Sequence, residues 1–196
     1  MEMQSLTVKI VSEMLNRGII QAKEKNIYCY GLEVLFLKVI AGLIALGLSI
    51  LADTTGYLIG LCLFLIPIRK YAGGIHAKKR VTCLLFTEVI LWLGQILWKY
   101  HLMPAILLHI HVCLGMLTIL WLAPVESDKR RLSATKRLKY KRYAILCGSI
   151  AAVCHCVAIL RSIDYGISIT GTAMLIETWL LVVAVIQHKI SDMITK

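Results

Sequence analysis

The chain has 196 residues, 59% of them hydrophobic and 17% charged, with a mean hydropathy of +0.77. That composition excludes an ordinary soluble domain and describes a polytopic membrane protein. The net charge of +11 comes from 22 Lys and Arg against 11 Asp and Glu, but the cations cluster in short loops between apolar runs. This is the pattern of cytoplasmic loops under the positive-inside rule, not of a nucleic-acid surface.

Residues 1–30 form an amphipathic N-terminal region, with Met3, Leu6, Ile10, Val11, Met14 and Leu15 at spacings of three and four. Lys9, Glu13, Asn16 and Arg17 fall elsewhere on the wheel. The pattern predicts a helix on the membrane face, either lying in the interface or packed on the protein's own cytoplasmic loops. Acids and bases run throughout these residues without the compact apolar core of a cleavable signal, so this region is expected to be retained.

Residues 31–196 then form a single polytopic membrane domain. Six apolar segments lie near 34–52, 54–68, 81–98, 102–125, 143–160 and 165–187. A spanning helix wants about 20 residues, so the second segment is the weak one. Its fifteen residues reach only about 22 Å, and Pro67 disfavours helix at Ile66, so the segment is expected to thin the bilayer or end in a break. The loop at 69–80 holds Arg69, Lys70, Lys78, Lys79 and Arg80, and the loop at 126–142 holds eight Lys and Arg. The other connections are poor in cations, so the expected fold is an all-α integral membrane protein with about six transmembrane helices and both termini in the cytoplasm.

The seven cysteines are odd in number and several lie in apolar runs, which argues for free thiols. Lys38, Glu88 and Glu177 fall inside apolar segments, where ionisable groups often mark transport or proton pathways. They carry the alternative reading of a small transporter, against a structural role in which Lys38 neutralises one glutamate or snorkels to the interface. A noncatalytic receptor or scaffold using the basic loops is the other alternative. His109 with His111, and Cys154, His155 and Cys156, are spaced so that side chains point about 100° or 200° apart on one helix, which makes no metal site within a single helix. No metal or other cofactor is expected.

The chemistry concentrates in RKYAGGIHAKKRVTC, residues 69–83, where His76 precedes Cys83 by seven residues. A thiol attacks as its thiolate, which the cations of the preceding loop favour, and Cys83 sits three residues past Arg80. On one continuous helix the two residues would stand about 10.5 Å apart along the axis, too far for an imidazole to take the thiol proton. A working pair therefore requires the chain from Gly73 to about Arg80 to leave regular helix, and Gly73 and Gly74 can supply the bend. Their amides are also candidate donors to an oxyanion. Glu88, about 7.5 Å further along the helix from Cys83 and turned away, is a poor orienting acid for His76.

Arg69, Tyr71, Ala72, Gly73, Gly74, His76, Ala77 and Cys83 resemble the core motif of the accessory gene regulator B (AgrB) family, bacterial membrane peptidases that mature autoinducing peptides for quorum sensing. Ala123, Pro124 and Val125, then Asp128 and the basic run from Lys129, resemble that family's second loop, and the resemblance covers essentially the whole chain. Arg130 and Arg131 depart from the residues many members carry there.

The resemblance implies His76 and Cys83 as catalytic pair, with Arg69, Gly73, Gly74, Lys129, Arg130 and Arg131 as substrate-binding or structural support. It implies a short propeptide substrate with an amphipathic leader and an acidic tail. Cleavage would pass through a Cys83 thioester that an internal cysteine or serine of the propeptide discharges to a thiolactone or lactone. A bacterial cell membrane location, a cytoplasmic site and a possible homodimer are implied too.

Overall fold

The computed structural model describes residues 2–74, 80–125 and 133–194, and within them the side chains other than those of residues 2–5, 80, 81, 83, 188 and 190–194. Among the described residues the secondary structure is helical, with one isolated bridge and no strand.

Helix α1 (Glu2–Asn16) is the amphipathic start. Gly18, at φ +69°, closes it: its amide reaches the Leu15 carbonyl at 3.0 Å and that of Ile19 reaches Met14 at 2.9 Å, the paired bonds of a left-handed glycine stop. Val11 and Thr7 are fully buried, and Val11 and Met14 share a groove with Ile27, Leu32 and Leu35 of helix α2 (Lys25–Leu51). Leu6 and Val8 stay about half exposed, 50% and 46%. The helix thus packs on the start of a membrane-crossing helix and keeps apolar side chains free for an interface.

Helix α3 (Thr55–Ala72) corrects the reading of the second segment. Pro67 lies inside it, and the helix runs on to Ala72, 18 residues or about 27 Å. A proline removes one backbone donor. Here the last turn is held regardless, because Ile68 and Ala72 are fully buried in the core that α3 shares with α6 and α7. Arg69 and Lys70, assigned by sequence to the loop at 69–80, therefore belong to the last turn of α3.

Helices α4 (Arg80–Lys99) and α5 (Ala105–Leu122) lie near their expected positions. Helix α6 (Ala134–Leu160) starts nine residues before the apolar segment it contains, so Lys136, Arg137, Lys139, Lys141 and Arg142 ride on its first turns rather than in the loop at 126–142. Long straight-chain Lys and Arg are good helix formers, and an apolar segment marks where a helix enters lipid, not where it begins. Helix α7 (Asp164–Ile194) completes the order.

Among the described residues, five helices, α2, α3, α5, α6 and α7, are long and apolar enough to cross a membrane. Helix α7 is the axis of the bundle, with 67% of its apolar window buried against 11% for α2. Around it stand α3, α5 and α6, while α2 and α4 pack mainly against each other and leave broad apolar faces outward, as lipid-facing helices do. Small residues allow the close approach typical of membrane helices. A side-chain carbon added at Gly171 would stand 2.6 Å from Leu108 Cβ.

Candidate functional site

The ends of the bundle are built differently. At the end holding the α2–α3 and α6–α7 turns, called here the opposite end, buried polar side chains meet in pairs. Thr54 Oγ1 donates to Gln95 Oε1 at 2.6 Å, and Tyr57 OH donates to Thr172 Oγ1 at 2.9 Å while its ring stacks on Trp98. His109 Nδ1 lies 2.8 Å from His155 Nε2, whose Nδ1 lies 2.8 Å from Thr170 Oγ1. Thr170 itself donates to the Gly166 carbonyl at 2.8 Å. That last bond fixes the direction of the chain: Thr170 accepts from His155 Nδ1–H, and His155 Nε2 accepts from His109 Nδ1–H. The two histidines of different sequence clusters are brought together across α5 and α6, hydrogen-bonded to each other. His111 instead bonds the Leu107 carbonyl one turn back.

The other, basic end carries the motif residues. Helix α3 stops where the sequence places its two glycines: Gly73 has φ +89° and Gly74 φ +145°, conformations side chains rarely adopt. The Gly73 amide closes the helix on the Arg69 carbonyl at 3.2 Å, so it is committed and is not an oxyanion donor. The next carbonyl, of Ala72, accepts from the Val125 amide at 2.9 Å, and Gly73 pairs with Val125 in a parallel bridge. A Cβ at Gly73 would stand 2.4 Å from the Val125 carbonyl oxygen, so only glycine allows the two strands of chain to meet. Ala123 and Pro124, just before the bridge and joined by a cis peptide, are buried.

This bridge joins the two sequence motifs at their roots. The segment holding His76 follows Gly74 in sequence and precedes α4, and the segment holding Lys129 follows Val125 and precedes α6. Tyr71, beside the bridge, stacks on Tyr143 with ring centroids 5.0 Å apart and meets Tyr140 edge-on at 5.6 Å, which ties α3 to the basic start of α6. Sequence reasoning matched Val125 and Tyr71 as motif letters without giving either a physical task. The glycine pair was the available signal, because a forced close approach needs a partner backbone.

Arg69, Gly73 and Gly74 are thus brought together at one helix end. Cys83 falls in the first turn of α4, three residues after Arg80, and its side chain lies outside the described residues. His76, Lys129, Arg130 and Arg131 also lie outside them, as does the stretch 75–79 on which folding His76 back to Cys83 depends.

The intramembrane charges do not form the pair considered from sequence. Lys38 is exposed, Glu88 is half-buried and Glu177 is fully buried, and among the described residues no ion pair joins Lys38 to either acid. Glu177 sits on the α7 face between Met174 and Leu181, both fully buried, and neither of its carboxylate oxygens has a hydrogen-bond partner.

The model of the accessory gene regulator B family matches residues 4–189. The chain belongs to the AgrB family. No curated protein and no solved structure gives a match. AgrB membership places this membrane protein in the accessory gene regulator system, in a quorum-sensing context, and its span takes in both motif loops and the bridge between them.

Proposed function

We propose that this AgrB-family protein is a membrane cysteine endopeptidase that cleaves a short quorum-sensing propeptide on its C-terminal side and enables its cyclisation. The observation that carries the reading is the Gly73–Val125 bridge, which joins the points of the chain just before the segments holding His76 and Lys129–Arg131, in a chain whose family match spans both. The start of α4 adds to it: in a first helical turn, unpaired amides and the helix dipole favour an anion, which suits Cys83 as a thiolate.

In this reading His76 takes the Cys83 proton, the sulfur attacks a backbone carbonyl, and the carbon–nitrogen bond breaks as His76 returns the proton to the leaving amine. An internal cysteine or serine of the propeptide then attacks the thioester, closing a thiolactone or lactone and releasing Cys83. Water must be kept from the thioester, or hydrolysis would discharge it without forming the ring. Lys129, Arg130 and Arg131 hold the acidic tail of the propeptide, and the pair, with both termini, faces the cytoplasm.

The test is cleavage of a short precursor with an amphipathic leader, a central Cys or Ser and an acidic tail, followed by mass spectrometry in membranes. Cys83→Ala is expected to abolish both cleavage and cyclisation, and His76→Ala to slow them by about a hundredfold or more. Unchanged processing by Cys83→Ala at equal expression would end the peptidase reading.

A further inference from the structure

The opposite end of the bundle holds a cavity of about 390 Å³ between the end of α4, the α4–α5 turn and the start of α7. Three oxygen-bearing side chains of α7 line it at spacings of four: Asp164, Ser168 and Thr172. Residues four apart share a helix face, so the three form one column about 12 Å long. Exposure falls along that column. Asp164 is exposed, Ser168 half-buried and Thr172 buried, which sets the carboxylate at the mouth and the hydroxyls below it. Tyr57 OH spends its only proton on Thr172, so its longer 3.3 Å contact with Ser168 Oγ leaves lone pairs of that hydroxyl free.

Trp98 of α4 and Tyr165 of α7 line the same cavity, their rings 80° apart with centroids at 5.3 Å, a corner rather than a stack. Tyr57 covers one side of the indole and does not line the cavity, which leaves the other side towards it. Among the described residues no ion pair engages Asp164, and Lys99, the nearest cation in sequence on α4, donates to the Ala52 carbonyl instead. An acid in the first turn of a helix is favoured by the helix dipole whatever it faces. The dipole does not account for the hydroxyls aligned beneath it or for the indole beside them. A carboxylate and an aromatic ring select the same kind of ligand, a cation, and free lone pairs suit one that brings its own protons. The rest of the volume is walled by carbon, including Met103, Leu108 and Ile167, and has room for an apolar body.

We propose that this cavity binds a primary amine with an apolar body, its ammonium held by Asp164 and Ser168 beside Trp98. That chemistry has two sources at a membrane: the ethanolamine headgroup of a phospholipid and a free hydrophobic amine. Helix α4 packs mainly on α2 and touches α7 sparsely, so a ligand lodged between α4 and α7 ties the two together. The inference does not rest on the peptidase reading, and Cys83→Ala should bind as wild type does.

The experiment titrates the full-length protein in neutral detergent with 2-phenylethylamine at pH 8, where an alkylamine is charged, and reads the rise in Tm. The uncharged 2-phenylethanol is the control. The amine is expected to raise Tm and the alcohol not. Asp164→Asn, which keeps the shape of the side chain at an exposed position, should weaken the amine response tenfold or more, and Ser168→Ala about threefold. An equal rise with the alcohol, or an unshifted amine response in Asp164→Asn, would overturn the proposal. The source is then read by native mass spectrometry from bilayers of equal phosphatidylethanolamine and phosphatidylglycerol. Retention of phosphatidylethanolamine by wild type and its loss in Asp164→Asn assigns the headgroup; an intact amine response without lipid preference assigns a free amine.

Discussion

At the opposite end of the bundle, Thr54 of the α2–α3 turn faces Gln95 of α4, Tyr57 faces Thr172 and His109 faces His155, each pair linking separate elements. At the basic end, Glu177 is buried with neither oxygen partnered. Satisfied networks fix one packing, while an unsatisfied buried group marks a place where the fold has given up stability for something else. The opposite end therefore reads as scaffold. The basic end, with its positive-φ glycines, its inter-loop bridge and its unpartnered acid, reads as the working end. Substitutions that separate the effect on melting from the effect on processing can break this division.

Gly73→Val should have the largest effect. It forces a branched side chain into φ +89° and places its Cβ 2.4 Å from the Val125 carbonyl oxygen, so strain and overlap together cost about 2–5 kcal/mol unless the bridge opens. The bridge is expected to open, with processing lost while the bundle still melts cooperatively. Gly74→Ala is the control: its φ of +145° is equally unsuited to a side chain, but the nearest atom to a new Cβ is Leu180 Cβ at 4.0 Å. It should process measurably where Gly73→Val does not. Equal loss from both would mean that backbone freedom matters and the bridge does not.

His155→Ala should come next and with the opposite profile. The side chain is 3% exposed and both ring nitrogens are engaged, so its removal empties a core site and strips partners from His109 and Thr170. A loss of about 2–4 kcal/mol is expected, seen as a lower Tm in detergent. Below that Tm the processing rate should stay within about twofold of wild type, since sites this distant act independently. A processing defect matching that of Gly73→Val in a still-folded protein would erase the contrast between the two ends.

The helical membrane fold was legible because the apolar runs are long and the loop cations alternate, and both signals survive without tertiary information. The ends of helices were not. Pro67 argued for a break that burial of Ile68 and Ala72 overrides, and the cations at 136–142 looked like loop because charge was read as exposure, although they ride on the first turns of α6. At the site, Gly73 and Gly74 announced an irregular turn, and Arg69 stood out as the cation before it. That the turn is pinned to Val125 was hidden, because a backbone bridge leaves no mark on side-chain identity beyond the glycine that permits it. Glu177 was visible as an ionisable group in an apolar run. Of the two roles read for Lys38, pairing with a glutamate is not seen, because pairing depends on which helices touch: α7 packs on α3, and Lys38 faces outward on α2, where it is free to snorkel.

The smallest effect is expected at Thr54 and Gln95, and it sharpens the comparison because the same chemistry gives opposite signs at the two ends. Thr54→Val leaves the buried Gln95 Oε1 without the donor it has at 2.6 Å, and Gln95→Leu leaves the Thr54 hydroxyl with only a long contact of 3.4 Å to the Ser49 carbonyl. Each single variant should cost about 1–2 kcal/mol, as an orphaned buried group does, and the double variant should recover most of it, because two apolar side chains of similar shape leave nothing unsatisfied. Glu177→Gln has no hydrogen bond to orphan, so the same kind of substitution should leave Tm unchanged or raise it. Tm falling for Thr54→Val and not for Glu177→Gln, with processing left unchanged by Thr54→Val, is the pattern that the division between scaffold and working end requires.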